Sequence, residues 1–213
     1  MKTNLLILDT LRNMENLIST GFSLSTQLNR KLKITYIFDF SWIGSGEFVG
    51  ATAPNIDTSM ITVEKEIRKD FEKAEGEIRR IVGTYLEQQT QTVPYEIETV
   101  EASRLDYINK VHNEEKDLLL LMSNFNSYTG YSTGRINYPN MIDRVECPVL
   151  IIPDDVKTLS FNKLVYLTAL HPEDITALHH LTALFNGDEA VSLTIFHNKK
   201  YPSKIILPVI PRN

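Results

Sequence analysis

Four groupings of residues in this chain have types and spacing that could do chemistry. The first follows the apolar run Leu118 to Met122, where Ser127, Thr129, Ser132, Thr133 and Arg135 supply hydroxyl donors and a cation around Gly130 and Gly134. Such a set suits a phosphate, because the guanidinium fork and turn donors match its oxygens. The plainer reading is a solvated turn rich in Asn, Ser and Tyr. The second is His171, Asp174, His179 and His180, all within ten residues. His171 and Asp174 stand one helical turn apart, but no clear third and fourth ligands follow on that face, so surface histidines and no metal are expected. The third, Gly44-Ser45-Gly46 with Gly50, is a near miss to a dinucleotide fingerprint. It follows a second strand and has no helix opening on its third glycine, so a loop explains it. The fourth is Cys147, which stands just before an apolar strand and reads as a small buried hydrophobe. No Gly-x-Ser-x-Gly or Walker A string is present, and no catalytic residue is assigned.

The background to these residues is an ordinary globular composition of 213 residues, with 42% hydrophobic and 23% charged side chains. A single cysteine rules out an internal disulfide and a cysteine-based zinc cluster, and fits a reducing compartment. The net charge of −5 gives no basic footprint for nucleic acid. No apolar run approaches the ~20 residues of a bilayer crossing. Leu5 to Leu8 is too short for a signal-peptide core, so a cytoplasmic protein is expected. Charge is uneven: residues 1–155 carry 16 Lys and Arg against 23 Asp and Glu, a net of −7, whereas residues 156–213 carry 6 against 4, a net of +2. That division matches a change in pattern, and two units, 1–155 and 156–213, are expected.

The elements that must position these residues alternate between strand and helix, the mark of βαβ construction. Asn4 to Asp9 reads as a strand apolar on both faces, as in the middle of a parallel sheet. A helix is predicted over residues 13–30, with Met14, Leu17, Ile18, Gly21, Leu24 and Leu28 at three- and four-residue spacing. Gly21 falls on that stripe and implies close packing against the sheet. Strand two is Leu32 to Phe40, followed by a long loop from Ser41 to Asp57. The longest helix, 58–88, carries Met60, Val63, Ile67, Phe71, Ala74, Ile78, Ile81 and Tyr85 on one seam. That seam suits a coiled coil, but in an alternating chain a helix laid on a sheet is preferred. Strand three (93–101), a short helix (103–113), strand four (117–123) and strand five (148–153) complete the first unit. The second unit starts the pattern again with strand 162–169, helix 172–185 and strand 190–197. Ile175, Leu178, Leu181, Leu184 and Phe185 mark the apolar side of its helix. One apolar stretch from Lys204 to Ile210 remains, confined by Pro208 to an edge or a tail. The second unit is therefore read as a truncated repeat.

The string Cys147-Pro148-Val149-Leu150-Ile151-Ile152-Pro153 closes a series opened by Leu5-Leu6-Ile7-Leu8-Asp9, and with Lys116-Asp117-Leu118-Leu119-Leu120-Leu121-Met122 it resembles the universal stress protein family. The likeness spans the first unit and, more faintly, the second, from Lys163-Leu164-Val165-Tyr166-Leu167-Thr168. It implies a doubly wound, five-stranded parallel α/β sheet of Rossmann-like, adenine-nucleotide-hydrolase-like type, dimerisation through strand five and, in some members, ATP at the carboxyl edge. That edge is also where an open α/β sheet holds ligands. ATP-binding members resemble one another in a motif G-x2-G-x9-G-(S/T) after strand four, and this chain departs from it. Ser123 and Asn126 fill the first two glycine positions, Gly130 and Gly134 stand at other spacings, and Arg135 replaces Ser or Thr.

By the same resemblance Asp9 matches an acid at the end of strand one, and Phe38 lies near the backbone that borders adenine. The candidate cofactor-binding residues are therefore Asp9, Phe38, Ser123, Asn126, Gly130, Ser132, Thr133, Gly134 and Arg135. After strand one, Thr10-Leu11-Arg12-Asn13 lacks the motifs of nucleotidyl transfer and pyrophosphate cleavage in related folds. The expectation is a non-enzymatic stress-response module with no resident cofactor. The alternative is a member that binds ATP or another adenine nucleotide and hydrolyses it slowly. As partners we expect no nucleic acid and no membrane, but a homodimer that uses the open edge of residues 148–153 and covers the remnant second unit.

Overall fold

A computed structural model describes residues 2–8, 11, 13–39, 56–90, 92–115, 117–123, 142, 144–153, 163–168, 172–185 and 192–197. The chain divides into two compact units, Met1–Lys157 and Thr158–Asn213.

In the first unit, β1 (Thr3–Leu8) and β4 (Leu118–Ser123) are buried along their whole length. Their near-continuous Leu and Ile content fits strands covered on both faces. With β2 (Lys31–Phe38), β3 (Tyr95–Glu101) and β5 (Val149–Ile152) they form one parallel sheet in the order β3-β2-β1-β4-β5. The chain winds outward from β1 to β3, then returns to the other side of β1, which makes the sheet doubly wound.

Helices α1 (Met14–Gln27) and α2 (Ile56–Glu87) lie on one face, and α3 (Arg104–Glu114) on the other. Period-two alternation sorts the strand residues between them. Asn4 of β1 donates from Nδ2 to Ser25 Oγ on α1 at 2.9 Å, and Phe38 of β2 stacks on Phe71 of α2. Leu5, Ile7, Ile37, Leu118, Leu120 and Met122 pack instead against Tyr107, Ile108 and Val111 of α3, with Cys147. Gly21 brings α1 close to the sheet: a Cβ there would meet Leu6 Cδ2 at 3.2 Å and Leu32 Cδ1 at 3.4 Å. The helix ends where Asn29 takes φ 50° and Arg30 N–H bonds Ser25 O at 2.9 Å, the left-handed stop that Asn tolerates.

From Phe71 to Tyr85 the seam of α2 lies on the sheet, and the side chains of Met60, Val63 and Ile67 lie outside the described residues. Ala74, Ile78, Ile81 and Val82 are buried, and Tyr85 stacks on Phe22 with ring centroids 4.9 Å apart. Phe71 meets Phe38, the last residue of β2, so the fifteen residues from Ile56 to Asp70 extend roughly 22 Å past that point if the helix runs straight.

The second unit holds β6 (Lys163–Thr168), α4 (Glu173–Leu184) and β7 (Ser192–His197), with β6 and β7 paired in parallel. Tyr166 donates to Asp174 Oδ1 at 2.8 Å and Thr168 bonds Asp174 Oδ2, which ties α4 to one face of the pair. Of the expected apolar side of α4, Leu178, Leu181, Leu184 and Phe185 are half-buried while Ile175 is 63% exposed. Ile175 follows Asp174 in the first turn, so the turn that Asp174 ties to β6 leaves its neighbour in solvent. The apolar run 204–210 lies outside the described residues.

Candidate functional site

The two ends of the first sheet differ in what they leave open. At the amino end Arg30, 2% exposed, fastens β1 to β4. Its Nη1 donates to Asp117 Oδ1 at 3.1 Å, and its Nη2 to Thr3 O at 2.9 Å and Asp117 O at 2.7 Å. Burial lowers the Arg30 pKa, opposed by the Asp117 carboxylate. Burial alone would raise the Asp117 pKa, but hydrogen bonds and charge from Arg30 and Lys2 hold it below the usual range. Among the described residues, this end is fastened by Arg30, Asp117 and Lys2 engaging one another.

At the carboxyl end the strands finish at Leu8, Phe38, Glu101, Ser123 and Ile152. Strand order reverses between β1 and β4, and it is at such a switch point that open α/β sheets hold ligands, in a crevice outside the strand ends. Ser123 ends β4 at that crevice, largely buried and in register with Ile152. Phe38 ends β2 with its ring 1% exposed, stacked on Phe71 at 5.4 Å and under the Arg68 guanidinium at 5.5 Å. The ring is thus taken up by α2, and what Phe38 offers the edge is backbone. Its carbonyl accepts from Ala102 N–H at 3.1 Å.

Two acids outside the sequence-based set occupy the neighbouring half of the edge. Asp39, largely buried, accepts the Arg104 N–H at 2.9 Å through Oδ2, at the first turn of α3. Ser103 caps the same turn by accepting Asp106 N–H at 3.5 Å. Glu101, at the end of β3, pairs with Arg68 at 3.8 Å. The positive end of α3 therefore meets a carboxylate of its own chain, which disfavours a further anion there. The signal for Asp39 was in the sequence: Ile37-Phe38-Asp39 closes strand two as Ile7-Leu8-Asp9 closes strand one.

The candidates Asp9, Asn126, Gly130, Ser132, Thr133, Gly134 and Arg135 lie outside the described residues. Of the proposed set the structure places Phe38 and Ser123, both on carboxyl ends. Under α3, Tyr107 shares hydrogen bonds with Thr35 at 2.9 Å and Glu98 at 2.8 Å, with Lys33 3.1 Å from Glu98. Burial first, and the neighbouring carboxylate, push the phenol of Tyr107 far up. Those groups serve one another within the fold. Burial likewise raises the Cys147 thiol above its usual range. Among the described residues no three His, Cys, Asp or Glu converge as metal ligands. Asp174 is engaged by Tyr166 and Thr168, and His179 and His180 are exposed, while His171 lies outside the described residues. No described helix is long and apolar enough to cross a membrane.

No family model matches the chain, and no curated protein matches it. Among solved structures, a universal stress protein from Archaeoglobus fulgidus superposes with a TM-score of 0.54 at 12% identity, covering 95% of this chain and 67% of its own. The chain has the universal stress protein fold. A universal stress protein from Lactobacillus plantarum is also similar, with a TM-score of 0.45 and 10% identity over 71% of this chain and 99% of its own. A third universal stress protein, solved in complex with cAMP, gives 0.41 and 14% identity over 72% of this chain and 98% of its own. The universal stress fold is the Rossmann-like, doubly wound sheet described above, with its crevice between β1 and β4.

Proposed function

We propose that this chain is a universal stress-type protein: a non-enzymatic, cytoplasmic module of the stress response that acts through dimerisation and carries a degenerate adenine-nucleotide site. The observation that carries this reading is the crevice at the β1–β4 reversal, bordered by Ser123 where ATP-binding members resemble one another in glycine. A side chain there, and another at Asn126, takes room that glycine would leave for phosphate oxygens. The dimer uses the outer edge of residues 148–153, since β5 pairs only with β4 among the described residues. In this reading residues 1–155 form one universal-stress-type module and residues 156–213 belong to a second α/β unit.

Mass spectrometry of ligand released from the freshly purified full chain tests the site. The expected result is no stoichiometric nucleotide. Stoichiometric ATP or ADP would overturn it in favour of a second reading, an ATP-binding and slowly hydrolysing member. The hydroxyls and the cation after β4 favour that alternative. In it, Ser132, Thr133 and Arg135 face the phosphates beside Gly130 and Gly134, and the base lies near Asp9 and the Phe38 backbone. Arg135→Ala would then weaken ATP more than adenosine, and equal loss for both would remove Arg135 from the phosphate contacts.

A further inference from the structure

The five strands of the first unit carry three carboxylates, and all three stand on β3. Each meets a cation of a neighbouring element. Glu96 lies 2.6 Å from Lys31 and Glu98 3.1 Å from Lys33, both of β2, and Glu101 lies 3.8 Å from Arg68 of α2. Tyr107 of α3 donates a further hydrogen bond to Glu98 at 2.8 Å. β3 is also the one strand of the five with no buried residue, whereas β1 and β4 are buried throughout. Its backbone ladder to β2 and the contact of Tyr95 with Phe22 hold it at any pH. With so little apolar burial, charge supplies a large share of the margin that keeps it in place.

We propose that β3 is an acid-released edge: the strand is paired at neutral pH and is the first of the sheet to detach as its glutamates are protonated, which uncovers the outer edge of β2. Protonation of Glu96, Glu98 and Glu101 removes the negative charge that Lys31, Lys33 and Arg68 now meet. Lys31 and Lys33 stand two residues apart on one face of β2, so they then repel each other. Each pair by itself is screened by solvent and decides little. Standing on one strand, the three are lost over the same interval of pH, and the loss falls on the element that burial holds least. What is uncovered is the backbone of a strand whose Leu32, Ile34, Tyr36 and Phe38 belong to the core.

The sign follows from Glu98. Burial works to raise its pKa, but hydrogen bonds from Tyr107 and Lys33, with the charges of Lys33 and Lys110, hold it below the usual range. Its contribution is therefore full above the unfolded glutamate value of about 4.3 and is lost as pH falls through the lower folded one. Glu114 is the other α3 charge at this cluster and acts on Tyr107, whose phenol stays protonated throughout. β1, β4 and β5 carry no ionisable side chain within their spans, so their pairing is an internal reference.

The test is amide hydrogen exchange of the full chain at pH 7, pH 5 and pH 4 in low salt, corrected for the intrinsic rate at each pH. Protection of β3 is expected to fall about tenfold relative to β1 and β4 between pH 7 and pH 4. Glu96→Gln, Glu98→Gln and Glu101→Gln combined should bring that selective loss to pH 7 and leave no further selective change in acid. A decline shared equally by β3, β1 and β4 in the parent chain would overturn the proposal, because acid would then act on the fold as a whole. A selective loss in acid that persists in the combined variant would overturn it too, since other groups would be responsible. Should the combined variant not fold, Glu98→Gln alone is read in its place: it should lessen the selective loss between pH 7 and pH 4, and an unchanged loss would overturn the proposal.

Discussion

Replacing Arg30 with Met separates two accounts of what closes the amino end of the sheet. In one, the ion pair with Asp117 matters; in the other, the guanidinium matters as a fork that satisfies backbone carbonyls. The carboxylate of Asp117 is 55% exposed and shared with Lys2, so solvent screens it and it can rehydrate when Arg30 is lost. The carbonyls of Thr3 and Asp117 keep their ladder contacts, Asp117 O still accepting the Thr3 N–H at 3.1 Å, but each loses a charge-assisted hydrogen bond worth about 1.5–3 kcal/mol. Against this stands the release of a buried charge whose Nε has no hydrogen-bond partner. The net expected for Arg30→Met is a loss of about 3 kcal/mol, the low end for breaking a buried charged group. For a chain of this size that lowers Tm by roughly 6–12 °C. Asp117→Asn should cost about 1 kcal/mol or less, because the amide oxygen still accepts from Arg30. Thermal and urea unfolding followed by far-UV circular dichroism read both. Equal losses for the two variants, or a shift under about 2 °C for Arg30→Met, would refute the carbonyl account.

The depressed Asp117 pKa sets a sign for acid behaviour: its contribution is full above the unfolded carboxylate pKa of about 3.9 and drains away as pH falls through the lower folded value. Urea midpoints measured from pH 5 down to pH 2 should therefore fall less steeply in Asp117→Asn than in the parent. Gly76 and Gly83 stand inside α2 with nothing within 4 Å of a methyl added at either Cα, so Gly76→Ala and Gly83→Ala should each stabilise by about 0.5–1 kcal/mol. Gly21→Val should destabilise by about 1–3 kcal/mol, since its branches enter space held by Leu6 and Leu32; denaturant midpoints check all three. Asp174→Ala should loosen α4 from β6 by about 2 kcal/mol, read as faster amide exchange in β6 and α4. Cys147, buried and with a raised pKa, should resist iodoacetamide at pH 8 in the folded protein and react fully in denaturant.

The strands were legible because burial writes itself into composition: β1 and β4 are nearly pure Leu and Ile, and no surface element could carry them. The α2 seam was legible for the same reason, and its choice of sheet over coiled coil followed from the alternation around it. Boundaries were less so. Strand two reads through Phe40, yet the pairing stops at Phe38 because Asp39 turns to cap α3. That use of Asp39 is a contact across 65 residues, and periodicity records only local neighbours. Phe38 shows the same limit from the other side. Its place at a strand end could be read, but not that Phe71 and Arg68 would enclose its ring. Ile175 belongs to the apolar spacing of α4 yet stands in solvent, which periodicity alone could not tell.

The two outer strands of the first sheet are unlike in a way that bears on how many copies can join. Along β3 the side chains include Glu96, Glu98 and Glu101, two of them tied to Lys31 and Lys33 of the strand behind. Along β5 they are Val149, Leu150, Ile151 and Ile152, with no charge at all. A newcomer aligning on β3 would pair its backbone beside carboxylates, whereas one aligning on β5 would pair with backbone N–H and C=O groups flanked only by uncharged side chains. Growth by strand addition is thus open on one side and refused on the other. In the proposed dimer two such sheets would meet through their uncharged margins, each would turn a charged margin outward, and the assembly would stop at two instead of lengthening into a fibre.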